Sequence, residues 1–414
     1  MKNKTTLRDF KNAQKRREFL EKELDIKLDS IGNSTIPEDA AAGRNIENLV
    51  GATQIPLGVA GPLRINFKNV IPSEQSSRGN LDLKKIATSP SAPRNDKESK
   101  DYYIPLATTE GALVASVSRG CKAVTESGGA TVYVETVGIT RGPVFKTSGL
   151  DQGIKAKKWI ENHIPLLSQA ARSTSSHLKL LKIDFQIAGR NLFARFYFDT
   201  TDAMGMNMAT FATQEIVRLI EQKTKVKCVS LAGNFDIDKK PAWLNFINGR
   251  GKRVWAEATL SQKVIKDVLK TTPKAIVEVV ERKCHLGSMM SGSLGFNAHF
   301  ANVVAAIFAA TGQDLAHVVE GSLGVTTAEV LENRNLYFSI YLPSLIVGTV
   351  GGGTHLPAQK EALAIMKTSN VLEYSQAVGA AVLAGELSLI ASLAEGSLAK
   401  AHKKLGRKSE PQKL

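Results

Sequence analysis

Thr200-Thr201-Asp202-Ala203-Met204-Gly205-Met206-Asn207 follows a β-rich run, Leu192–Phe198, and opens a helical segment, Met206–Glu221. It therefore reads as a strand-to-helix turn. Backbone amides at a helix N-terminus attract phosphate oxygens, and Gly205 would let a ligand come close. The stretch lacks the G-x-G-x-x-G spacing of a doubly wound dinucleotide fold, so any dinucleotide here is held by another architecture. Packing of Met204, Met206 and Met208 into a core is the competing reading, and the residues alone leave both open.

Outward from this turn, the runs Thr131–Val137, Leu181–Ile187 and Leu192–Phe198 flank a helical stretch, Ile154–Ala171, which predicts a compact α+β subdomain. Thr6–Leu24 reads as an amphipathic helix and Glu47–Leu63, with its glycines and prolines, as a loop and strand. Asn69–Lys100 is rich in Ser, Pro, Asn and charge and reads as a surface insertion. Thr108–Arg119 is expected to start a helix capped by Thr109, and Ser261–Leu269 to form another. Asn297–Thr311 is apolar nearly all round, as a buried helix is. Gly348–Thr354 is a loop, and Val378–Lys404 a long terminal helix or helix pair.

The 414 residues suffice for two or three domains, and 43% hydrophobic with 22% charged residues excludes a wholly disordered chain. Three separated cysteines without a CxxC pair argue against a disulfide framework or a zinc site. Of the net charge of +15, +13 lies in Met1–Leu24, Arg64–Lys100 and Lys400–Leu414. The aromatic residues there, Phe10, Phe19 and Phe67, are not interleaved with the charge as a nucleic-acid stacking surface needs, so nucleic acid is not the expected partner. Such basic segments would still attract a nucleotide or coenzyme A. Met1–Leu24 lacks the apolar core of a signal peptide, and Ala377–Ala399 carries Glu386 and Glu395. A cytoplasmic protein that makes no membrane contact is expected.

Several residues suit chemistry. Asp238-Lys239-Lys240 sits between Gly233-Asn234 and Pro241-Trp243, which suggests an ordered loop whose lysine could stabilise an oxyanion. Gly351-Gly352-Gly353 could form a phosphate nest or a flexible turn. Asn302, inside the apolar helix, and Asp314, beyond Gly312, each need a polar partner. Glu110 follows two threonines, and His402 lies among Lys400, Lys403 and Lys404.

In combination these motifs resemble a known family. TTEG (Thr108–Gly111), DAMGMN (Asp202–Asn207), DKKPA (Asp238–Ala242), GQD (Gly312–Asp314) and GTVGGGT (Gly348–Thr354) occur in that order, with ENLVG (Glu47–Gly51) before and LAGELSLIASLAEG after them. The chain resembles class I hydroxymethylglutaryl-CoA reductases in a soluble form. The resemblance implies an α+β fold. A large, mainly helical CoA-binding domain (47–142 and 231–395, with insertion 69–100) would carry an inserted ferredoxin-like, non-Rossmann NADP-binding domain (143–230). A helical segment (1–46) would precede them and a mobile flap (396–414) would follow. It implies reduction of a thioester to mevalonate and free coenzyme A with two NADPH, no metal, and a homodimer or dimer of dimers with shared sites. By resemblance Glu110, Lys239, Asp314 and His402 are catalytic, and Arg141, Asp238, Lys240, Lys283 and Asn302 bind substrate. Glu47, Asn48, Ser116, Arg119 and Lys270 match coenzyme A positions. Ser175, Asp202, Ala203, Met204, Gly205, Met206, Asn207, Gly351 and Gly352 match cofactor contacts.

This sequence departs from the family pattern at several points. Ala232 stands for a serine before DKK, Ser176 for a basic residue after Ser175, and Thr201 for a glycine. Cys284 and His285 follow Lys283, and Lys408 occupies the regulatory serine position of animal enzymes. Ser176 keeps an NADH-linked degradative enzyme of the same family as one rival reading. An inactive relative that binds polyanions is the other.

Overall fold

The structure, a computed structural model, describes residues 10–42, 44–67 and 99–396. Its strands are β1 (Leu57–Phe67), β2 (Ser99–Ala107), β3 (Ala130–Arg141), β4 (Val144–Lys146), β5 (Lys179–Ala188), β6 (Asn191–Asp199), β7 (Lys227–Ser230), β8 (Gly251–Leu260), β9 (Gly295–Phe296), β10 (Gly324–Val330) and β11 (Leu336–Leu345). The helices that position the site are α1 (Ala13–Leu24), α2 (Leu113–Glu126), α3 (Leu150–Asn162), α4 (Ile164–Arg172), α5 (Met206–Thr224), α6 (Trp243–Asn248), α7 (Phe300–Thr311), α8 (Val318–Gly321) and α9 (Val371–Glu395).

β3 belongs to two sheets. Its first part pairs antiparallel with β8 and parallel with β1, while Ile139–Arg141 pair with β6. The change of sheet falls at a register shift beside Gly138, whose φ is +100°. A Cβ there would come 3.0 Å from the Phe198 carbonyl oxygen, so glycine fits and larger residues crowd the junction.

The larger sheet runs β2–β1–β3–β8–β11–β10–β9. Against it lies α9, buried along almost its whole length because Ala, Gly, Val and Leu fill nearly every face. Each fully buried Leu or Ile on it contributes about 1.5–3 kcal/mol of transfer free energy. α2 crosses α9 in backbone contact: a Cβ on Gly120 would lie 1.9 Å from the Ala384 carbonyl oxygen. α9 is long and apolar enough to cross a membrane, yet 83% of its apolar window is buried inside the protein, as for a core helix. Glu386, fully buried within α9, accepts the amides of Ala298 and His299 and the Thr326 hydroxyl, and pairs with His299 Nδ1 at 3.0 Å. Its burial is therefore compensated.

The smaller sheet has the order β5–β6–β4–β7, all antiparallel. Its connections run β4–α3–α4–β5, the β5–β6 hairpin, then β6–α5–β7, a βαββαβ unit with its own core of Phe145, Leu167, Phe196, Phe198, Ile216 and Ile220.

Several expectations change. The part outside this unit holds a mixed sheet as well as its helices, with burial alternating along β8 and along β11 as far as Tyr341. Thr109 caps nothing. The chain turns with the Thr108 hydroxyl accepting the Glu110 amide at 2.9 Å, and α2 begins at Leu113 behind Ala112 in a left-handed conformation. The expected insertion ends sooner, because Ser99 and Lys100 already pair in β2. Gln262–Val264 is α-helical but Ile265–Leu269 is a π-helix. α7 begins at Phe300, with Asn297 accepting its amide from outside the helix. Residues 69–98 of the expected insertion, and the terminal segment holding His402, lie outside the described residues.

Candidate active site

Lys239 stands on the connection between β7 and α6, and the local backbone is unusual. Asn234, Ile237 and Lys239 all have left-handed φ, between +53° and +62°. Non-glycine residues hold such conformations only where surroundings over-determine them. Here the Asn245 side chain donates to the Ile237 carbonyl at 3.1 Å, and the Thr140 hydroxyl to that of Asp236 at 2.8 Å. The Lys239 amide donates to Glu320 Oε1 at 2.6 Å. So held, the Lys239 ammonium reaches Asp314 Oδ2 at 2.8 Å, just past the C-terminal end of α7.

Around this pair is a network of charge. Arg141, at the end of β3, pairs with Asp236 at 3.1 Å and faces Asp238 at 3.9 Å. Arg250, fully buried, donates to Thr140 (2.7 Å), Glu320 (2.8 Å) and Asp238 (3.0 Å), and contacts the Met206 sulfur at 3.1 Å. His317, also fully buried, has Nδ1 3.4 Å from Glu320 and Nε2 3.9 Å from both Asp238 and Asp314. Burial alone would raise the Asp314 carboxyl. The hydrogen bonds from Lys239 and the Ala316 amide, with the charges of His317 and Lys239, outweigh it and hold the group below its ordinary value. Asp314 is thus an anion paired with the Lys239 ammonium.

At the other end of α7, the Asn302 amide donates to Glu110 Oε2 at 2.6 Å. α7 thus runs between the two pairs: Asn302 lies in its first turn and Asp314 three residues past its last, with about 13–14 Å of helix from Asn302 to Thr311. Within one chain Glu110 is bonded to Asn302, and Asp314 to Lys239.

The turn of Asp202–Asn207 packs on the glycine loop: Ala203 bridges to Val350, and the amides of Thr349 and Val350 reach the Asp202 carbonyl. The Asp202 carboxylate accepts the first amide of α9 at 2.8 Å. Gly205, φ +86°, precedes the first residue of α5. Gly351 and Gly352 also have positive φ, and nothing lies within 4 Å of where their Cβ atoms would be. A helix N-terminus beside an open glycine loop fits the phosphates of a dinucleotide. Ser175 lies in the turn before β5, whose first residue Lys179 pairs with Asp199 at the end of β6, and its hydroxyl accepts the His177 amide.

Other expected site residues are scattered. Ser116 and Arg119 on α2 bond to Ser388 and Ser392 of α9. Lys240 reaches the Asp238 carbonyl at 3.2 Å. Lys283, on a π-helical turn (Val280–Gly287), and Lys270, beyond another, are exposed and make no ion pair among the described residues. Glu47 is exposed, and Asn48 has φ +51°. Sequence reasoning missed Asp236, Arg250, His317, Glu320, His299 and Glu386. A usable signal for three of them was a lone Arg between Gly249 and Gly251 at a strand start, and a His-x-x-Glu spacing just after Asp314.

A cation held on a strained loop by an ionised carboxylate, beside a phosphate-compatible helix start, defines an enzyme of mixed α/β fold. The sequence matches the family model for hydroxymethylglutaryl-coenzyme A reductase over residues 12–407. It is 48% identical over 401 residues to the 3-hydroxy-3-methylglutaryl-coenzyme A reductase of Methanocaldococcus jannaschii, covering 95% of this chain and 92% of that one. It is 46% identical to the enzyme of Pyrococcus horikoshii, covering 95% and 91%. The chain belongs to the hydroxymethylglutaryl-coenzyme A reductase family and is an oxidoreductase. Its fold is like that of the class II enzyme from Streptococcus pneumoniae solved bound to NADPH, with TM-score 0.67 at 17% identity, covering 92% of this chain and 97% of that one.

Proposed function

We propose that this chain reduces 3-hydroxy-3-methylglutaryl-CoA to mevalonate and coenzyme A with two NADPH, as a class I enzyme of isoprenoid synthesis in the cytoplasm. The Lys239–Asp314 pair carries this reading. A positive charge fixed at 2.8 Å from an ionised partner suits an oxygen that turns negative as a thioester carbonyl is reduced. Bound NADPH supplies hydride. Lys239 stabilises the carbonyl oxygen, Glu110 supplies a proton there, and His402 protonates the departing thiolate. Arg141, with Asp238 and Lys240, binds the distal carboxylate and hydroxyl, a carboxylate being the natural partner of a guanidinium. Lys283 and Asn302 complete that pocket, and Glu47, Asn48, Ser116, Arg119 and Lys270 face coenzyme A.

The nucleotide lies along Ser175, Asp202–Asn207 and the Gly351-Gly352 loop, on a ferredoxin-like domain of residues 143–230. Residues 47–142 and 231–395 form the coenzyme A domain, with 1–46 and 396–414 flanking them.

The positions of Glu110 and Lys239 at opposite ends of α7 support sites shared between two subunits. So do exposed apolar side chains, with Met290 86%, Ile247 67% and Leu315, next to Asp314, 53% exposed. A homodimer would set the Glu110 end of one α7 against the Lys239 end of another. The NADH-linked reading keeps one observation in its favour, since Ser176 brings no charge beside Ser175 for a 2′-phosphate. The test is oxidation of NADPH and of NADH with 3-hydroxy-3-methylglutaryl-CoA, beside a Lys239→Ala control. Turnover with NADPH that needs Lys239 is the expected result. Turnover with NADH alone would overturn the biosynthetic assignment, and none with either would favour the polyanion-binding relative.

A further inference from the structure

We infer that Glu320 is a positioning residue for Lys239, acting through the lysine's own backbone amide. The inference rests on the reading of Lys239 given above. Left-handed φ costs a non-glycine residue about 1–2 kcal/mol, so the conformation at Lys239 (+57°) has to be held in place. The hydrogen bond that holds it is charge-assisted: the Lys239 amide donates to Glu320 Oε1 at 2.6 Å. Glu320 sits on the single turn α8 and is fully buried. The same Oε1 receives Arg250 Nη1 at 2.8 Å, while Oε2 lies 3.4 Å from His317 Nδ1.

One carboxylate oxygen thus gathers the catalytic loop and a guanidinium that also grips Asp238 and the Met206 sulfur. Met206 is the first residue of α5, in the turn assigned to the nucleotide. Through Arg250, the oxygen that sets Lys239 is therefore tied to the helix start where phosphates would bind. A misplacement of about 1 Å in such a positioning contact can cost on the order of 10²-fold in rate.

Two substitutions separate this role from simple charge balance. Glu320→Gln keeps the reach of Oε1 to both donors but removes the charge, and Arg250 retains Asp238 at 3.0 Å as its counter-ion. Glu320→Asp keeps the charge but withdraws the oxygen by one carbon–carbon bond, about 1.5 Å. We expect Glu320→Gln to retain kcat within about 10-fold and Glu320→Asp to lose about 100-fold. KM for 3-hydroxy-3-methylglutaryl-CoA and Kd for NADPH should stay within about threefold in both, because the groups assigned to bind them remain. The reverse order, or equal kcat values, would overturn the assignment.

A second measurement needs neither variant nor turnover. Hydrogen exchange in the wild-type protein should show the Lys239 amide protected well beyond the exposed amides of its own loop. Unprotected exchange at Lys239 would overturn the inference whatever the activity, so its failure is distinguishable from failure of the proposed reaction.

Discussion

The two ends of α7 each present a carboxylate beside a polar partner, in opposite surroundings. At the C-terminal end, Asp314 and Lys239 join Arg141, Asp236, Asp238, Arg250, His317 and Glu320, several of them fully buried. At the N-terminal end, Glu110 is exposed and its side chain accepts a hydrogen bond from Asn302. The first arrangement is preorganised, since its charges cannot relax without breaking others, and this is what stabilising a developing oxyanion requires. The second leaves a carboxyl exposed and able to meet another surface. One end is a fixed network of charge and the other an exposed carboxyl with a single side-chain partner shown, Asn302.

The largest effect should come from breaking the fixed end. Lys239→Ala is expected to lower kcat by at least about 10³-fold with the fold intact by circular dichroism, and a loss under tenfold would remove Lys239 from the mechanism. At the other end, Glu110→Gln should cost about 10²–10³-fold in kcat, since it keeps the bond to Asn302 but has no proton to give. Near-wild-type turnover there would reassign the acid. Mixing the two inactive proteins after subunit exchange sharpens the comparison. If each site takes one end of α7 from each subunit, activity should return to about a quarter of wild type, and continued inactivity would place both ends in one chain.

A smaller effect, on stability, is expected away from both ends. Gly120→Ala would force α2 off the Ala384 carbonyl and should cost about 3 kcal/mol in denaturant unfolding. The smallest concerns pH. Burial alone would raise the Glu373 carboxyl, but hydrogen bonds from Lys100, Tyr102 and Ser369 bring it from 4.5 to about 2. A depressed carboxyl stabilises the fold above its ordinary pKa, and that stability is lost as pH falls towards about 2. Glu373→Gln should therefore lower Tm at neutral pH and flatten the fall of Tm between pH 4.5 and 2. An unchanged acid limb would show that Glu373 is not its source.

What the sequence disclosed follows the range of the interactions involved. The strand–turn–helix at Asp199–Met206 and the apolar helices around Asn302 and Val378 were legible because periodicity and turn chemistry act over a few residues. Lys239 and Asp314 were legible as types in motifs. Their ion pair was not, because it joins positions 75 apart through a backbone conformation that no local pattern signals. Arg250 and Glu320 escaped notice for a related reason: each reads as an ordinary surface charge until the fold buries both together. The alternation of β8 and β11 is visible in the sequence, but their pairing is not, because it joins residues as distant as Leu345 and Lys252.

β3 has a consequence for how the protein melts. A strand threaded through both sheets means that the core around Phe196 cannot be peeled away without unzipping residues that also pair with β8 and β1. Cores linked by a loose tether would denature one after the other. Two cores sharing a strand should denature together, in a single calorimetric transition whose enthalpy corresponds to both.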